Sequence, residues 1–274
     1  MLVGCGLGGT SLINANVCLR PEARVFADPC WPAPLRADVA TRLADGYARA
    51  EAMLRPASYP EGAAQPAKLR TLLRASAAMG RPGVRLPIAV NFTEDREVAG
   101  LRQQACKLCG DCVTGCNHEA KNTVAATYLP DAHAHGAEIF TQVSVCRLER
   151  SGSQWLVYYD CPGVGRERFD AAAMFVRADL VIVAAGTLGS SELLLRSKDA
   201  GLRLSERVGA RFSGNGDVIG FGFNQKDAVD AIGWGDRPYT PDTPIGPTLT
   251  GMIDAREQEA QASVMMQRRP ACCR

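Results

Sequence analysis

The sequence of 274 residues lacks several features that would assign it to a common class of protein. Its formal net charge is only +2 and no run of Lys and Arg exceeds two residues, so nucleic acid is not an expected partner. No segment approaches the roughly 20 consecutive apolar residues of a membrane-spanning helix. Histidine is scarce, with three residues of which the last is His135. No Ser/His/Asp or Cys/His arrangement of a hydrolase stands out.

An export signal is also missing, because no basic segment and no apolar stretch of about 7–15 residues precedes Cys5. The 11 cysteines are therefore interpreted as reduced thiols or metal ligands of a cytoplasmic protein rather than as disulfides. The hydrophobic content of 46% and the charged content of 22% are those of a globular protein, long enough for one large or two ordinary domains.

Four of these cysteines are packed into eleven residues with the spacing C-x2-C-x2-C-x3-C: Cys106, Cys109, Cys112 and Cys116. This is the spacing with which bacterial ferredoxins hold iron–sulfur clusters, and it predicts that the four thiolates bind a 4Fe-4S cluster. Structural zinc and thiols without metal stay open as alternatives. Asn117 stands where ferredoxins usually have proline, and the second C-x2-C pair that zinc favours is absent from the sequence.

Apolar periodicity predicts three helices. Leu35, Val39, Leu43 and Tyr47 recur at every fourth position and predict a helix over residues 34–54, which Pro56 ends. Residues 67–79 repeat this pattern, and residues 119–135 read as a third helix that Gly136 closes. Residues 84–93 read as an edge strand, because Pro87 interrupts them.

The second half of the chain reads as strands followed by a helix. Residues 138–148, 154–160 and 166–176 are β-rich runs separated by Gly-containing turns, which predicts an antiparallel meander. The continuous apolar run at residues 179–184 is typical of a strand buried on both faces. A glycine-containing turn then leads into the helical residues 192–197, and such a helix start suits a phosphate or ribityl chain.

The glycine-rich stretch at the start of the sequence, Gly4 to Asn16, is the remaining candidate site. It satisfies G-x-G-x-x-G formally, but neither an adequate strand before it nor a long helix after it is present. Its hydroxyl and amide groups could bind a pyrophosphate or the edge of a flavin. An ordinary surface turn is the alternative.

Three stretches in this order resemble the glucose–methanol–choline (GMC) oxidoreductase superfamily, in particular its cholesterol-oxidase-like branch. They are the glycine-rich residues 4–16, the cysteine-containing residues 106–123 and the strand–turn–helix residues 181–197. The resemblance implies an α/β fold: an incomplete three-layer FAD-binding domain of the ββα type with an antiparallel meander, and part of a substrate-binding domain. It implies hydride transfer from a small-molecule alcohol or sterol to FAD, with an electron-acceptor protein as a possible partner.

The resemblance also implies which residues contact FAD. Six residues of the glycine-rich stretch correspond to the loop against the flavin and its pyrophosphate: Gly6, Gly8, Gly9, Ser11, Asn14 and Asn16. Val143 corresponds to the position whose backbone meets the adenine, and Ala185 and Gly186 to the strand end beside the ribityl chain. The catalytic residues are unknown, since the family's active-site histidine lies near its C-terminus and no histidine follows His135 here.

We therefore expect a truncated member that lacks the family's N-terminal ADP-binding fingerprint. Its predicted divisions are a flavin-contacting loop at residues 1–34, a substrate-side helical insertion at 35–100, the FAD-domain core at 101–200, and the start of a substrate domain with an irregular tail at 201–274. The competing interpretation is a non-catalytic remnant or electron-transfer module, stabilised by iron–sulfur or zinc, that needs a partner chain.

Overall fold

The structure is a computed structural model that describes residues 6–166, 169, 171–214, 218–222, 224, 226–233 and 238–256. The start of the first predicted division, residues 1–5, and the end of the last one, residues 257–274, lie outside the described residues. The chain separates into two units. Unit 1 comprises residues Met1–Ala137 and Asn224–Arg274, and unit 2 comprises Glu138–Phe223.

Six α-helices are formed by the described residues. They are α1 (Ala23–Ala27), α2 (Ala33–Ala37), α3 (Ala44–Leu54), α4 (Ala67–Ala78), α5 (Tyr128–Ala134) and α6 (Gly186–Asp199). Short 3-10 turns occupy Gly9–Leu12 and Val124–Ala126, and a π turn at Val39–Leu43 lies between α2 and α3.

The described part of the chain contains seven strands, which pair in antiparallel fashion. They are β1 (Gly83–Arg85), β2 (Arg96–Val98), β3 (Leu101–Gln103), β4 (Ser144–Ser151), β5 (Gln154–Asp160), β6 (Met174–Ala178) and β7 (Gly251–Ile253). In unit 1, β1 pairs with β7 and β2 pairs with β3; in unit 2, β4, β5 and β6 form one sheet in that order. This mixture of helices and antiparallel sheets agrees with the predicted class of an α/β FAD-binding domain.

The core of unit 1 is a short extended segment that other segments cover. Leu86, Ile88 and Val90 are almost fully buried, and partly buried Cys106 packs against them. Ile88 forms backbone bridges with both Val17 and Ala57, so three distant segments meet at this residue. The predicted strand over residues 84–93 therefore exists only in part: Gly83–Arg85 is a strand, and isolated bridges follow Pro87.

Two predicted helices are confirmed in unit 1 and one is shorter than predicted. Residues 33–54 are helical in three consecutive pieces and end at Arg55, whose left-handed conformation precedes Pro56. Helix α4 matches the second prediction within one residue. Of residues 119–135, the first five are not helical, because they form a β bridge and backbone bonds with residues 89–91.

Unit 2 confirms the antiparallel meander. Its turn between β4 and β5 contains Gly152, with φ of 60°, and the register pairs Ser151 with Gln154. Helix α6 packs on β4 through Ser197, whose fully buried hydroxyl donates to the Leu193 carbonyl and accepts from the Leu148 N–H at 2.8 Å. The predicted helix at residues 192–197 is thus confirmed and begins earlier, at Gly186.

The predicted buried strand at residues 179–184 is wrong in this structure. These residues form no strand, and Leu180 and Ile182 are 77% and 81% exposed. The physical reason is pairing: a strand needs a neighbour for its N–H and C=O groups. None of the strands in the described part of the chain pairs with this run.

No helix within the described ranges has the length and apolar character required to cross a bilayer.

Candidate functional site

The glycine loop, defined here as Gly6–Asn16, turns tightly because its glycines adopt backbone angles that other residues avoid. Gly8 and Gly9 have φ of 103° and 57° and lead into the 3-10 turn Gly9–Leu12. A Cβ atom on Gly8 would lie 2.9 Å from the Cβ atom of Ala125, whereas one on Gly9 would meet nothing within 4 Å. Gly8 is therefore required by close packing as well as by its φ angle.

Ser11 fixes this turn against the following segment of unit 1. Its hydroxyl donates to the Gly8 carbonyl at 2.6 Å and accepts from the Val124 N–H at 3.0 Å. Both contacts are internal to the protein, so the structure gives Ser11 a role in holding the loop. Its predicted contact with a cofactor stays a prediction.

Asn16 ends the loop in an unusual state. It is 2% exposed, has φ of 66°, and its carbonyl accepts from the Ala89 N–H at 2.8 Å. Its backbone N–H donates to the Asn14 side chain at 3.3 Å. Within the described residues, neither Nδ2 nor Oδ1 of the Asn16 amide has a hydrogen-bond partner. A buried amide of this kind is rare, because leaving it unsatisfied is costly, and it indicates a missing ligand or water.

Lys121, which sequence reasoning did not single out, joins the glycine loop to the cysteine loop, defined here as residues 106–116. It is 3% exposed, and its Nζ donates to the carbonyls of Leu12 at 2.9 Å, Asn14 at 2.9 Å and Cys112 at 3.0 Å. Burial lowers its pKa to about 8, while the thiols of Cys112 and Cys116 oppose that shift. No periodic pattern in the sequence marks this lysine.

The cysteine loop is also held by backbone bonds from Gly233 and Gly246. The Gly246 N–H donates to the Leu108 carbonyl at 2.8 Å, and the Gly233 N–H donates to the Gly110 carbonyl at 3.1 Å. A Cβ atom on Gly110, where φ is 81°, would collide with Ile245. Glycine is therefore required at position 110, where the loop packs closely against Ile245.

The predicted metal centre has no support in this geometry. In the described part of the chain, which includes all four loop cysteines, no group of three Cys, His, Asp or Glu side chains is arranged to hold a metal ion. Burial raises the pKa of Cys106 to about 12, and its thiol packs against the Leu86, Ile88 and Val90 core. The described geometry therefore gives no support to the predicted 4Fe-4S cluster or to zinc in the cysteine loop.

A cavity of about 360 Å³ opens in unit 1 beside these two loops. Leu12 contributes from the glycine loop, Cys116 from the cysteine loop, and Gln103 from β3. Lys121 and Thr123 line the same cavity. The glycine and cysteine loops therefore border one concave surface, which the sequence spacing could not have indicated.

The other predicted cofactor residues belong to unit 2. Val143 is 37% exposed and directly precedes β4. Ala185 is the N-cap of α6 and Gly186 its first residue, with φ of 73°; both are exposed, and the cap makes no side-chain hydrogen bond. The first N–H groups of α6 are consequently without a side-chain cap from residue 185.

The described residues thus combine a glycine loop in unit 1 with an antiparallel meander and an uncapped helix start in unit 2. The sequence matches the family described as GMC oxidoreductase over residues 1–214, and the chain belongs to this family.

Curated relatives agree with the assignment. A cholesterol oxidase of Mycobacterium tuberculosis is 31% identical over 237 residues, which are 80% of this chain and 40% of that protein. A cholesterol oxidase of Acinetobacter baumannii is 27% identical over 83% of this chain and 44% of its own length. An uncharacterised GMC-type oxidoreductase of M. tuberculosis is 32% identical over 71% of this chain and 28% of its own length. The chain thus spans less than half the length of these relatives.

Proposed function

We propose that this chain forms the flavin-contacting part of an FAD-dependent oxidoreductase that acts on the CH–OH group of a small-molecule alcohol or sterol. Family membership supports the reaction class, and the names of the cholesterol oxidase relatives support a sterol-like substrate. FAD, when bound, supplies the acceptor for the hydride that leaves the alcohol carbon.

The observation that carries this proposal is the unsatisfied amide of Asn16. A carboxamide presents an N–H donor and a C=O acceptor side by side. The pyrimidine ring of a flavin presents the complementary imide N–H and C=O. The fit is therefore chemical, and Asn16 is the residue that we assign to orient the flavin ring.

Further residues would hold the rest of the cofactor. Backbone groups of Gly6, Gly8 and Gly9 are proposed to lie against the pyrophosphate, with Asn14 as a second polar contact. The uncapped N–H groups at Ala185 and Gly186 are proposed to bind the ribityl or phosphate part, because a helix N-terminus favours negative charge. Val143 is proposed to contact the adenine through its backbone.

The reaction also needs a group that accepts the hydroxyl proton. We assign no residue of this chain to that role. An electron-acceptor protein as partner and a cytoplasmic location remain proposals. For the location, the supporting observation is that none of the eight described cysteines forms a disulfide.

The direct test is titration of the purified chain with FAD. Binding is measured by the quenching of flavin fluorescence and by changes in the visible flavin absorption. We expect saturable binding at one FAD per chain. FMN should compete with FAD for this site. Equally strong competition by NADH or ATP would contradict flavin recognition, since neither NADH nor ATP carries the imide edge. An absence of saturable FAD binding would contradict the proposal itself.

A second candidate is a module whose fold is completed by another polypeptide. It is favoured by the exposed apolar run at residues 179–184, because extended apolar segments without strand partners associate with other strands. Ile182→Lys should then reduce association, measured by light scattering after size exclusion across a concentration series. Equal association of the variant and the original chain would argue against this candidate.

A further inference from the structure

The ammonium group of Lys121 has all of its hydrogen-bonding capacity committed to main-chain carbonyls. An ammonium carries three N–H donors, and three carbonyl oxygens lie within 3.0 Å of this nitrogen. Two of these carbonyls, from Leu12 and Asn14, belong to the glycine loop. The third, from Cys112, belongs to the cysteine loop. One side-chain atom therefore bonds both loops at once.

This arrangement cannot be reproduced by another natural side chain. The amide nitrogen of glutamine has only two donors, and the donors of arginine are spread over a planar fork rather than converging from one atom. Among the described residues no carboxylate forms an ion pair with Lys121, and three main-chain carbonyls bond its buried ammonium group. Burying a charge in this way is costly, which indicates a specific role for the amine.

The bonded carbonyls lie next to the residue that carries the proposed function. The Asn14 side chain accepts from the Asn16 N–H, and the Asn16 carbonyl accepts from the Ala89 N–H. The Ala89 carbonyl in turn accepts from the N–H of Asn122, the neighbour of Lys121, at 2.9 Å. The Asn16 N–H is therefore linked through Asn14 to Lys121 itself. The Asn16 carbonyl is linked through Ala89 to Asn122, the residue after Lys121.

We propose that Lys121 is a positioning residue which fixes the glycine loop, and with it the Asn16 amide, to the cysteine loop. The cysteine loop then acts as a brace for the cofactor-contacting loop, which gives it a function without metal. The effect of Lys121 on FAD binding rests on the proposed function, whereas its attachment of the glycine loop can be tested separately.

Lys68 provides a matched control, because its ammonium group bonds a segment that holds the cysteine loop rather than the glycine loop. Its Nζ donates to the carbonyls of Ala231 at 3.1 Å and Gly246 at 3.0 Å, and burial lowers its pKa to about 8 as well. It lies near the thiols of Cys106, Cys109 and Cys112 but makes no hydrogen bond to the glycine loop in the described residues. Lys68 and Lys121 thus differ in which segment they attach.

The experiment compares Lys121→Met with Lys68→Met by hydrogen–deuterium exchange and by FAD titration. In Lys121→Met we expect faster exchange of amides in residues 12–18 and an FAD dissociation constant at least about tenfold higher. In Lys68→Met we expect faster exchange in residues 231–233 and 238–247, with residues 12–18 and the FAD affinity unchanged. Unchanged exchange of residues 12–18 in Lys121→Met, or equal effects of both variants on them, would overturn the inference.

A rescue experiment separates the bonding role from general stability and serves if Lys121→Met does not fold. Lys121→Ala leaves room for ethylammonium, which offers the same three N–H donors. Added ethylammonium chloride should restore slow exchange of residues 12–18 and FAD binding, whereas tetramethylammonium chloride, which has no N–H, should not. Equal effects of the two salts would refute the bonding role. If the unmodified chain does not bind FAD, the proposed function fails, and the exchange measurements still decide the role of Lys121.

Discussion

Replacing Asn16 by leucine should make the protein without cofactor more stable than the original chain. With FAD bound, the variant should be less stable than the original chain. The substitution removes a buried amide that has no partner among the described residues. Asn91 is the matched control, since it is also buried but its amide is fully used. The Asn91 Nδ2 donates to the carbonyls of Glu94 at 3.1 Å and Gln104 at 3.0 Å, and its Oδ1 accepts from the Thr93 hydroxyl at 2.9 Å.

The magnitudes follow from these contacts. An unsatisfied buried polar group costs about 1–3 kcal/mol, so its removal at Asn16 should gain about 2 kcal/mol. Leucine in the left-handed conformation at φ of 66° costs about 1 kcal/mol. The net gain is about 1 kcal/mol, which corresponds to an increase of about 2–4 °C in the Tm of a chain of this size. The Asn91 Oδ1 also accepts from the Thr93 N–H at 3.3 Å, so Asn91→Leu should instead lose about 4 kcal/mol, at about 1 kcal/mol for each of four hydrogen bonds.

Thermal unfolding with and without FAD is the assay. At a concentration of about 100 times its Kd, FAD should stabilise the original chain by about 2.7 kcal/mol. Asn16→Leu should lose most of this stabilisation, so the order of the two Tm values reverses when FAD is added. A lower Tm for Asn16→Leu without FAD would refute the reasoning, because it would mean that the amide has a favourable partner. Equal behaviour of Asn16→Leu and Asn91→Leu would refute it as well.

Two further predictions test the two loops. Gly8→Ala should lower the free energy of unfolding by about 1–3 kcal/mol more than Gly9→Ala. Both glycines have positive φ, but only Gly8 lies against Ala125. Chemical denaturation measures the two losses, and equal losses would contradict the close packing. Cys106 should react slowly with iodoacetamide at pH 8 compared with the exposed Cys30, because a pKa raised to about 12 by burial leaves little thiolate until the pH approaches that value. Peptide mass spectrometry would measure both rates, and comparable rates would show that Cys106 is not buried as described.

Local patterns predicted the elements whose stability depends on neighbours in sequence. Helix α4 and the helical residues 33–54 were predicted from apolar spacing. The end of the helical residues 33–54 was predicted from Pro56. The meander β4–β5–β6 followed from β-rich runs separated by short turns, since hairpins pair adjacent segments. The family, too, was predicted from three stretches in order, and the match over residues 1–214 confirms it.

Features that depend on distant contacts were missed or wrong. Residues 119–123 were predicted to be helical, but their backbone groups bond to residues 89–91 instead. The apolar run at residues 179–184 was predicted to be a buried strand, yet apolar character cannot supply the neighbouring strand that burial requires. The cysteine spacing predicted a metal site, which the described residues do not support, since no group of three ligand side chains is arranged there to hold a metal ion.

The sequence by itself determined the secondary structure of the locally stabilised segments, the family, and the candidate cofactor loop. Only the tertiary structure decided that the Asn16 amide is buried without a partner and that Lys121 bonds the glycine loop to the cysteine loop. The physical reason is that hydrogen bonding and burial are properties of three-dimensional neighbours. Leu12 and Lys121 are 109 positions apart in the chain, and no periodicity in the sequence can indicate that their atoms lie 2.9 Å apart.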